Sequence, residues 1–359
     1  MRVFSNTQRP LAVFEAWIRS REYQRANGGP LVIVDEKGEV VCGKNGKPKP
    51  FHLVIVATGG GLSGVVSAGM FDVLQEEGYS DDPIGLVAVS AGLPNVLAFG
   101  CRKSHEVIPF YEHLVRQPFI NLFRRGDPRM RLREDVILPM IRMLDHEKLR
   151  TYKPEIYVVL TEWESGKGRV VRLKVEDDPA DWGWVTQAAM TIPNLSPPVE
   201  LTNIIPKEPH RKLRFVDGAS SKPLPLGEAM RATRPTHILV LAPRPLPTDL
   251  PLWESHFYWW LGQLGLWGVP SPTRKGTLSM DQETGKAIKR MQEIHPRVEC
   301  TALFPKAGNA LPTFFLSSFY TEWKVMMARK AGEGGKDLMR QCLYNAHLAV
   351  ERHRGEMVF

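Results

Sequence analysis

The chain reads as an α/β protein, a three-layer α/β/α sandwich on a mostly parallel central sheet. Three observations predict this. Leu53–Ala57 (LVIVA), Ile84–Val89 (IGLVAV) and His237–Ala242 (HILVLA) are short apolar runs rich in β-branched residues, the pattern of strands buried on both faces. The first two each run through a turn containing glycine into a stretch with helical spacing. Strands that alternate with helices in this way form a parallel sheet covered on both sides.

Taken in order, residues 1–50 predict an N-terminal helix over Pro10–Ala26 and a hairpin over Leu31–Cys42, turned at Lys37-Gly38. Lys44–Pro50 (KNGKPKP) reads as a linker into a catalytic core over residues 51–245. That core opens with the strand Leu53–Ala57, the loop Thr58–Gly64 (TGGGLSG) and a helix over Gly64–Glu77, in which Val65, Met70, Val73 and Leu74 can share a face. A second strand, Ile84–Val89, meets Ser90 and a helix that runs through Gly100. Helices are expected at Ser104–Arg116 and Leu132–Leu144, and strands at Glu155–Thr161, Arg169–Leu173, Leu213–Val216 and His237–Ala242. Residues 246–359 are expected to complete or cover the core. They carry an aromatic segment, a strand at Val298–Pro305 and helices at Asp281–Ile294, Phe314–Ala331 and Lys336–His353.

Three short motifs carry chemistry. The adjacent glycines Gly59, Gly60 and Gly61, with Gly64 behind them, let the backbone turn with its N–H groups unshielded, near a helix N-terminus. Donors in that position suit a developing oxyanion, and equally a phosphate. Ser90 stands between a strand and a helix in the sequence Ala88-Val89-Ser90-Ala91-Gly92, the setting of a nucleophile elbow, where small neighbours are needed because the chain packs tightly. The usual first glycine is here Ala88, one methyl larger and tolerable at negative φ; Gly92 keeps the second position. Asp217 closes the run Leu213–Val216 ahead of Gly218, where it reads as either a base for Ser90 or an Asp-Gly turn.

In this order the motifs resemble the patatin-like phospholipase family, whose pattern is a GGGxxG loop, a GxSxG serine and a DGG or DGA aspartate. Gln187–Glu200 (QAAMTIPNLSPPVE) is similar to that family's alanine-rich segment with a proline pair, and Phe215–Ala242 to its continuation through a helix into the next strand. The likeness spans about residues 53–245; the C-terminal part is similar to a bacterial subgroup of the family. It implies a patatin-like fold with Ser90 as nucleophile, Asp217 as base and the Gly60 and Gly61 amides as oxyanion donors. It further implies a lipid ester substrate, cleaved without histidine or cofactor. An aspartate at its ordinary pKa near 4 is a weak base at neutral pH, so the oxyanion hole would carry much of the rate. Ala88 and Ser63 depart from the family pattern, the latter standing where many members carry arginine or lysine.

Rival readings are a Ser-His-Asp esterase using His295 or His347, a nucleotide-binding glycine loop, and an inactive lipid-binding relative. The loop lacks GKS or GKT, which disfavours nucleotide binding. The four cysteines, Cys42, Cys101, Cys300 and Cys342, are dispersed, and neither they nor the ten histidines have metal-ligand spacing. A formal charge of +8 favours anionic partners, and Arg124, Arg125, Arg129, Arg131 and Arg133 are its densest cluster. No nucleic-acid-binding motif is present; the cluster reads as a peripheral contact for an anionic membrane surface or as a solvated basic loop. Pro251–Pro270 holds Trp253, Trp259, Trp260 and Trp267 and reads as a lid, an interfacial anchor or a core helix. Neither a signal-peptide core nor an apolar run of about 18 residues is present, which predicts a cytoplasmic protein.

Overall fold

A computed structural model describes residues 2–5, 9–116, 130–193, 195–202, 212–244, 270, 273, 284, 286–287, 298–305 and 321–356. Its centre is one sheet. The strands are β1 (Arg2–Ser5), β2 (Leu53–Ala57), β3 (Gly85–Ala88), β4 (Glu155–Glu162), β5 (Gly168–Arg172), β6 (Val199–Leu201), β7 (Leu213–Asp217), β8 (His237–Leu241) and β9 (Glu299–Phe304). The spatial order is β1-β9-β8-β2-β3-β4-β7-β6, with β5 also paired to β4. The central run β9-β8-β2-β3-β4 is parallel; β1, β5 and β7 pair antiparallel to their neighbours in that run.

One detail of register places the site. β5 pairs with Tyr157–Thr161 of β4 and so occupies one edge of that strand over this length. β3 ends at the pair Ala88–Val158, and β7 ends at the pair Asp217–Leu160. β3 and β7 therefore share the other edge of β4, end to end, with Val159 between them. They run in opposite directions, so their carboxyl ends face each other.

The strands bury both faces, as their composition requires. Leu53, Ile55 and Ala57 of β2 join one core with Leu86 and Ala88 of β3 and Leu239 and Leu241 of β8. The alternate residues Val54, Val56, Val87, Ile238 and Val240 join a second core on the opposite face. Helices α1 (Ala12–Asn27), α2 (Gly64–Glu76), α3 (Gly92–Gly100) and α4 (Val107–Arg116) contribute to the first core. So do α5 (Leu138–Met143), α6 (His146–Thr151) and α7 (Pro179–Met190), while α8 (Leu226–Thr233) covers the second. This is the three-layer α/β/α arrangement expected. The remaining helix, α9 (Thr321–Glu356), packs along α2. Among the described residues, no helix is long and apolar enough to cross a membrane.

The structure differs from the sequence reading in four places. Lys44–Pro50 is not a bare linker: Val32 bridges Pro50, Val34 bridges Val40 and Cys42 bridges Pro48. Its prolines tolerate this because Lys49 carries the ladder, donating to Val41 and accepting from Ile33, while Pro48 and Pro50 need no N–H there. β1 and β6 were not foreseen, nor were α6 and α7. The helix expected over Leu132–Leu144 contains a π turn at Arg133–Ile137 before α5.

The fourth difference is the C-terminal helix, expected as two helices broken at Ala331-Gly332-Glu333-Gly334-Gly335 and found continuous. Two of the glycines are contact points rather than breaks. A Cβ on Gly335 would lie 2.0 Å from the Val66 carbonyl oxygen, and one on Gly69 would lie 2.0 Å from that of Gly332. Backbone meets backbone where α2 and α9 cross, and Lys336 Nζ closes the crossing on the buried Asp72 at 2.8 Å. The helix expected over Asp281–Ile294 and the segment Pro251–Pro270 lie almost wholly outside the described residues.

A paired substitution tests this crossing. Gly335→Ala should destabilise the fold by at least about 2 kcal/mol, because the methyl group must displace backbone. Gly334→Ala, with nothing within 4 Å, should stabilise it by about 0.5–1 kcal/mol through helix propensity. Chemical denaturation of both variants is the measurement; equal effects would mean that the crossing is not close-packed.

Candidate active site

Ser90 leaves the end of β3 and leads into α3 with φ of +51°, in the left-handed region that non-glycine residues rarely occupy. The turn is closed by bonds from the Gly92 N–H to Val89 O and from the Leu93 N–H to Ser90 O, both 2.9 Å. Gly92 is needed because a Cβ there would meet the Ala57 carbonyl oxygen at 2.4 Å. Ala88 precedes the strained residue inside β3 and is not among the residues with positive φ, so its methyl group costs the turn nothing.

Asp217 comes to Ser90 from the opposing strand end. The Ser90 hydroxyl donates to Asp217 Oδ2 at 2.5 Å, and the Ala219 N–H donates to Oδ1 at 2.8 Å. The backbone of Asp217 is fixed as well: its N–H donates to Thr191 O and its carbonyl accepts from Thr161 Oγ1, each at 2.8 Å. Gly218 lies against β4, where a Cβ would meet the Val159 carbonyl oxygen at 2.2 Å. Ser90 is 8% and Asp217 5% exposed.

That burial changes the chemistry expected from sequence. It pushes the Asp217 carboxyl up from 3.8 to about 6, against the opposing pull of the bonds from Ser90 and Ala219. The carboxylate is thus a stronger base than an ordinary aspartate, yet largely ionised at neutral pH.

The glycine loop follows β2 and passes close to Ser90: a Cβ on Gly59 would be 2.8 Å from Ser90 Cβ. Gly61, at φ +56°, opens a single 3₁₀ turn over Gly61–Ser63 that leads into α2. Ser63 is buried, and its N–H closes this turn on Gly60 O at 3.1 Å. None of the Gly59, Gly60 and Gly61 N–H groups meets a backbone carbonyl among the described residues. Gly64 lies behind the loop, where a Cβ would be 2.2 Å from the Tyr111 hydroxyl oxygen and 3.1 Å from Ala91 Cβ.

Ser90 and Gly61 line one cavity, ≈ 430 Å³ with its open mouth included. Its walls are almost wholly apolar, with Leu62, Phe110, Leu114, Met130, Val136 and Met190 among them. An apolar lining with few polar groups is the usual character of a small-molecule site. Met190 and Ile192 flank Thr191, so the segment that anchors Asp217 also forms a wall of the cavity.

Among the described residues, no histidine lines this cavity. His347 is exposed on α9, and His295 lies outside the described residues. Of the arginine cluster, Arg124, Arg125 and Arg129 also lie outside them; Arg131 is exposed, and Arg133 stacks on Trp184 at 3.7 Å and donates to Gln187 Oε1 at 3.3 Å. Among the described residues, no three histidine, cysteine, aspartate or glutamate side chains gather as metal ligands. Sequence reasoning missed Thr161, Thr191 and Tyr111, which bind backbone atoms across long stretches of chain and leave no local motif.

No protein-family profile matches the chain, and no curated protein matches it by sequence. Among solved structures it is similar to VipD from Legionella pneumophila, with 13% identity and a TM-score of 0.41, over 86% of this chain and 70% of that one. The chemistry of the site therefore rests on its own geometry.

The raised pKa of Asp217 has a consequence for stability. A carboxyl whose pKa is higher folded than unfolded contributes stability below its unfolded pKa and loses it as pH rises through the folded value. A rise from 3.8 to about 6 corresponds to about 3 kcal/mol. Asp217→Asn does not titrate, so its stability relative to the native chain should improve by that order from acid to neutral pH, with most of the change between about pH 4 and 6. Denaturation midpoints across this range are the measurement, and a constant difference would refute the buried titration.

Proposed function

We propose that the chain is a serine acyl hydrolase that cleaves lipid ester bonds, in phospholipid, lysophospholipid or acylglycerol, through a Ser90–Asp217 dyad. The observation that carries this reading is the 2.5 Å bond between the hydroxyl of a residue at φ +51° and a buried carboxylate, at the wall of an apolar cavity. Strain at an exit turn and a partnered hydroxyl are marks of a nucleophile rather than of a structural serine. The apolar cavity walls support the lipid preference, since they offer little to a polar substrate.

In the proposed reaction Ser90 Oγ attacks the ester carbonyl carbon as its proton passes to Asp217 Oδ2. The carbonyl oxygen becomes an oxyanion held by the Gly60 and Gly61 N–H groups, with the N-termini of α2 and α3 adding favourable potential. The carbon–oxygen bond to the alcohol breaks, and Asp217 returns its proton to the departing oxygen. Water then attacks the acyl-serine, giving its proton to Asp217, and the acid leaves as Ser90 recovers its hydrogen. The carboxyl near pKa 6 suits both halves, because it must gain and lose a proton in each.

Labelling by a long-chain fluorophosphonate tests the reading, with Ser90 as the expected modified residue and loss of labelling in Ser90→Ala. Hydrolysis of p-nitrophenyl esters should vanish in Ser90→Ala and fall by about 10²–10⁴ in Asp217→Asn. The native kcat/KM should rise with pH through about 6 and level off above it, since the base must be ionised. Alanine at His295 or His347 should leave turnover within about tenfold; a histidine variant as inactive as Ser90→Ala would replace the dyad with a triad.

The loop has its own test. Gly60→Val would push a side chain toward Pro243 Cγ, which a Cβ already meets at 2.8 Å. Turnover should fall by about 10² or more, the scale of one lost oxyanion donor. Calorimetry should find no ATP or NAD binding; nucleotide binding lost in this variant while esterase activity survives would reassign the loop.

A further inference from the structure

We infer that Tyr111 is a positioning residue for acyl transfer, its hydroxyl setting the spacing between the Ser90 elbow and the glycine loop. The inference rests on the hydrolase reading above. Tyr111 lies on α4, almost fully buried, and its hydroxyl donates to Ala91 O at 3.0 Å, one residue past the nucleophile. The same oxygen presses on Gly64, where no side chain fits. Tyr111 also lines the cavity, with Ser90 and Gly61. One side chain thus touches the turn that holds the nucleophile, the helix start behind the proposed oxyanion donors, and the space meant for the acyl group.

The surroundings make the hydroxyl a fixed point. Asn95 Nδ2 donates to Gly64 O and to Ser67 Oγ, both at 2.8 Å, so Gly64 is held through its carbonyl while Tyr111 covers its Cα. Next to Tyr111, Glu112 accepts two bonds from Arg329 at 2.8 and 2.9 Å, which ties α4 to α9. Ala91 is the N-cap of α3, and the carbonyl of such a residue already accepts the first intrahelical bond. The Tyr111 bond therefore orients this carbonyl rather than filling an empty acceptor, and a phenylalanine there leaves no bare polar group. Burial raises the Tyr111 hydroxyl above its usual pKa, so it remains a donor at any working pH. An oxyanion hole needs its donors near 3 Å from the developing charge, and a small displacement of loop or elbow is expensive.

The test compares Tyr111→Phe with Tyr152→Phe. Tyr152 donates to Ser80 O at 2.9 Å, away from the cavity, and so controls for the general cost of losing a tyrosine hydroxyl. For Tyr111→Phe, kcat on p-nitrophenyl esters should fall on the order of 10- to 100-fold. KM and the pH midpoint near 6 should hold, because ring and base are intact, and fluorophosphonate labelling of Ser90 should slow in proportion. Tyr152→Phe should keep the native kcat. Gly64→Ala, whose methyl would force the Tyr111 hydroxyl aside, is the second route and serves if Tyr111→Phe folds poorly. It should lower kcat in the native background and lose much of that effect beside Tyr111→Phe. A kcat within about twofold of native in Tyr111→Phe, or an equal loss in Tyr152→Phe, overturns the positioning role while leaving the hydrolase in place. A native chain that neither turns over esters nor takes the probe overturns the hydrolase reading, and the positioning role with it.

Discussion

The site depends on one constraint of sheet topology: two strands that run in opposite directions end against each other on a single edge of β4. β3 stops at Val158 and β7 at Leu160, so the residues that leave them have one residue of β4 between them. Neither strand end can shift alone. Moving β7 by one residue would turn Asp217 to the other face of the sheet, as it would every side chain in that strand. The 2.5 Å contact between Ser90 and Asp217 is thus set by backbone ladders rather than by flexible side chains. A site held this way meets the demand for preorganisation, in which the supporting shell and not the reacting pair fixes the geometry.

The same arrangement buries a carboxylate, with opposite effects on stability and chemistry. Desolvation disfavours the charged form, and two hydrogen bonds to the carboxylate recover only part of the loss. The fold tolerates this because Thr161 and Thr191 hold the backbone of Asp217, so the side chain cannot swing out to water. What is lost in stability appears as basicity. Sequence reasoning gave much of the rate to the oxyanion hole because it took the aspartate at its ordinary pKa; in the proposed reaction a base near 6 would divide that work more evenly.

What was legible in the sequence follows from the range of the forces involved. The strands LVIVA and HILVLA, the glycine loop and the serine turn are local patterns whose meaning does not depend on distant chain. The direction of β7 was not legible, because LRFVD reads the same in either orientation and only pairing with β4 decides. Pairing also absorbed the stretch read as a linker, Lys44–Pro50. The glycines at 332–335 misled for the same reason: a helix break and a close helix crossing both call for glycine, and α2, the partner that distinguishes them, lies far away in sequence. Tyr111 sat unnoticed within a correctly expected helix, since the carbonyl and the glycine it touches are fixed by tertiary structure alone.

Ala88 and Ser63, the two departures from the family pattern, can now be weighed by contact rather than by likeness. A glycine is required where φ is positive or where a Cβ has no room, and Ala88 meets neither condition. The strain of the elbow falls on Ser90 itself, while the need for space falls on Gly92, packed against β2. Those two positions keep the residues the turn demands. Ser63 takes part in the loop through its backbone, closing the turn on Gly60, and is itself fully buried. Ala88 thus falls where the geometry allows choice. That leaves the turn intact at its two demanding positions, Ser90 and Gly92, as the proposed nucleophile requires.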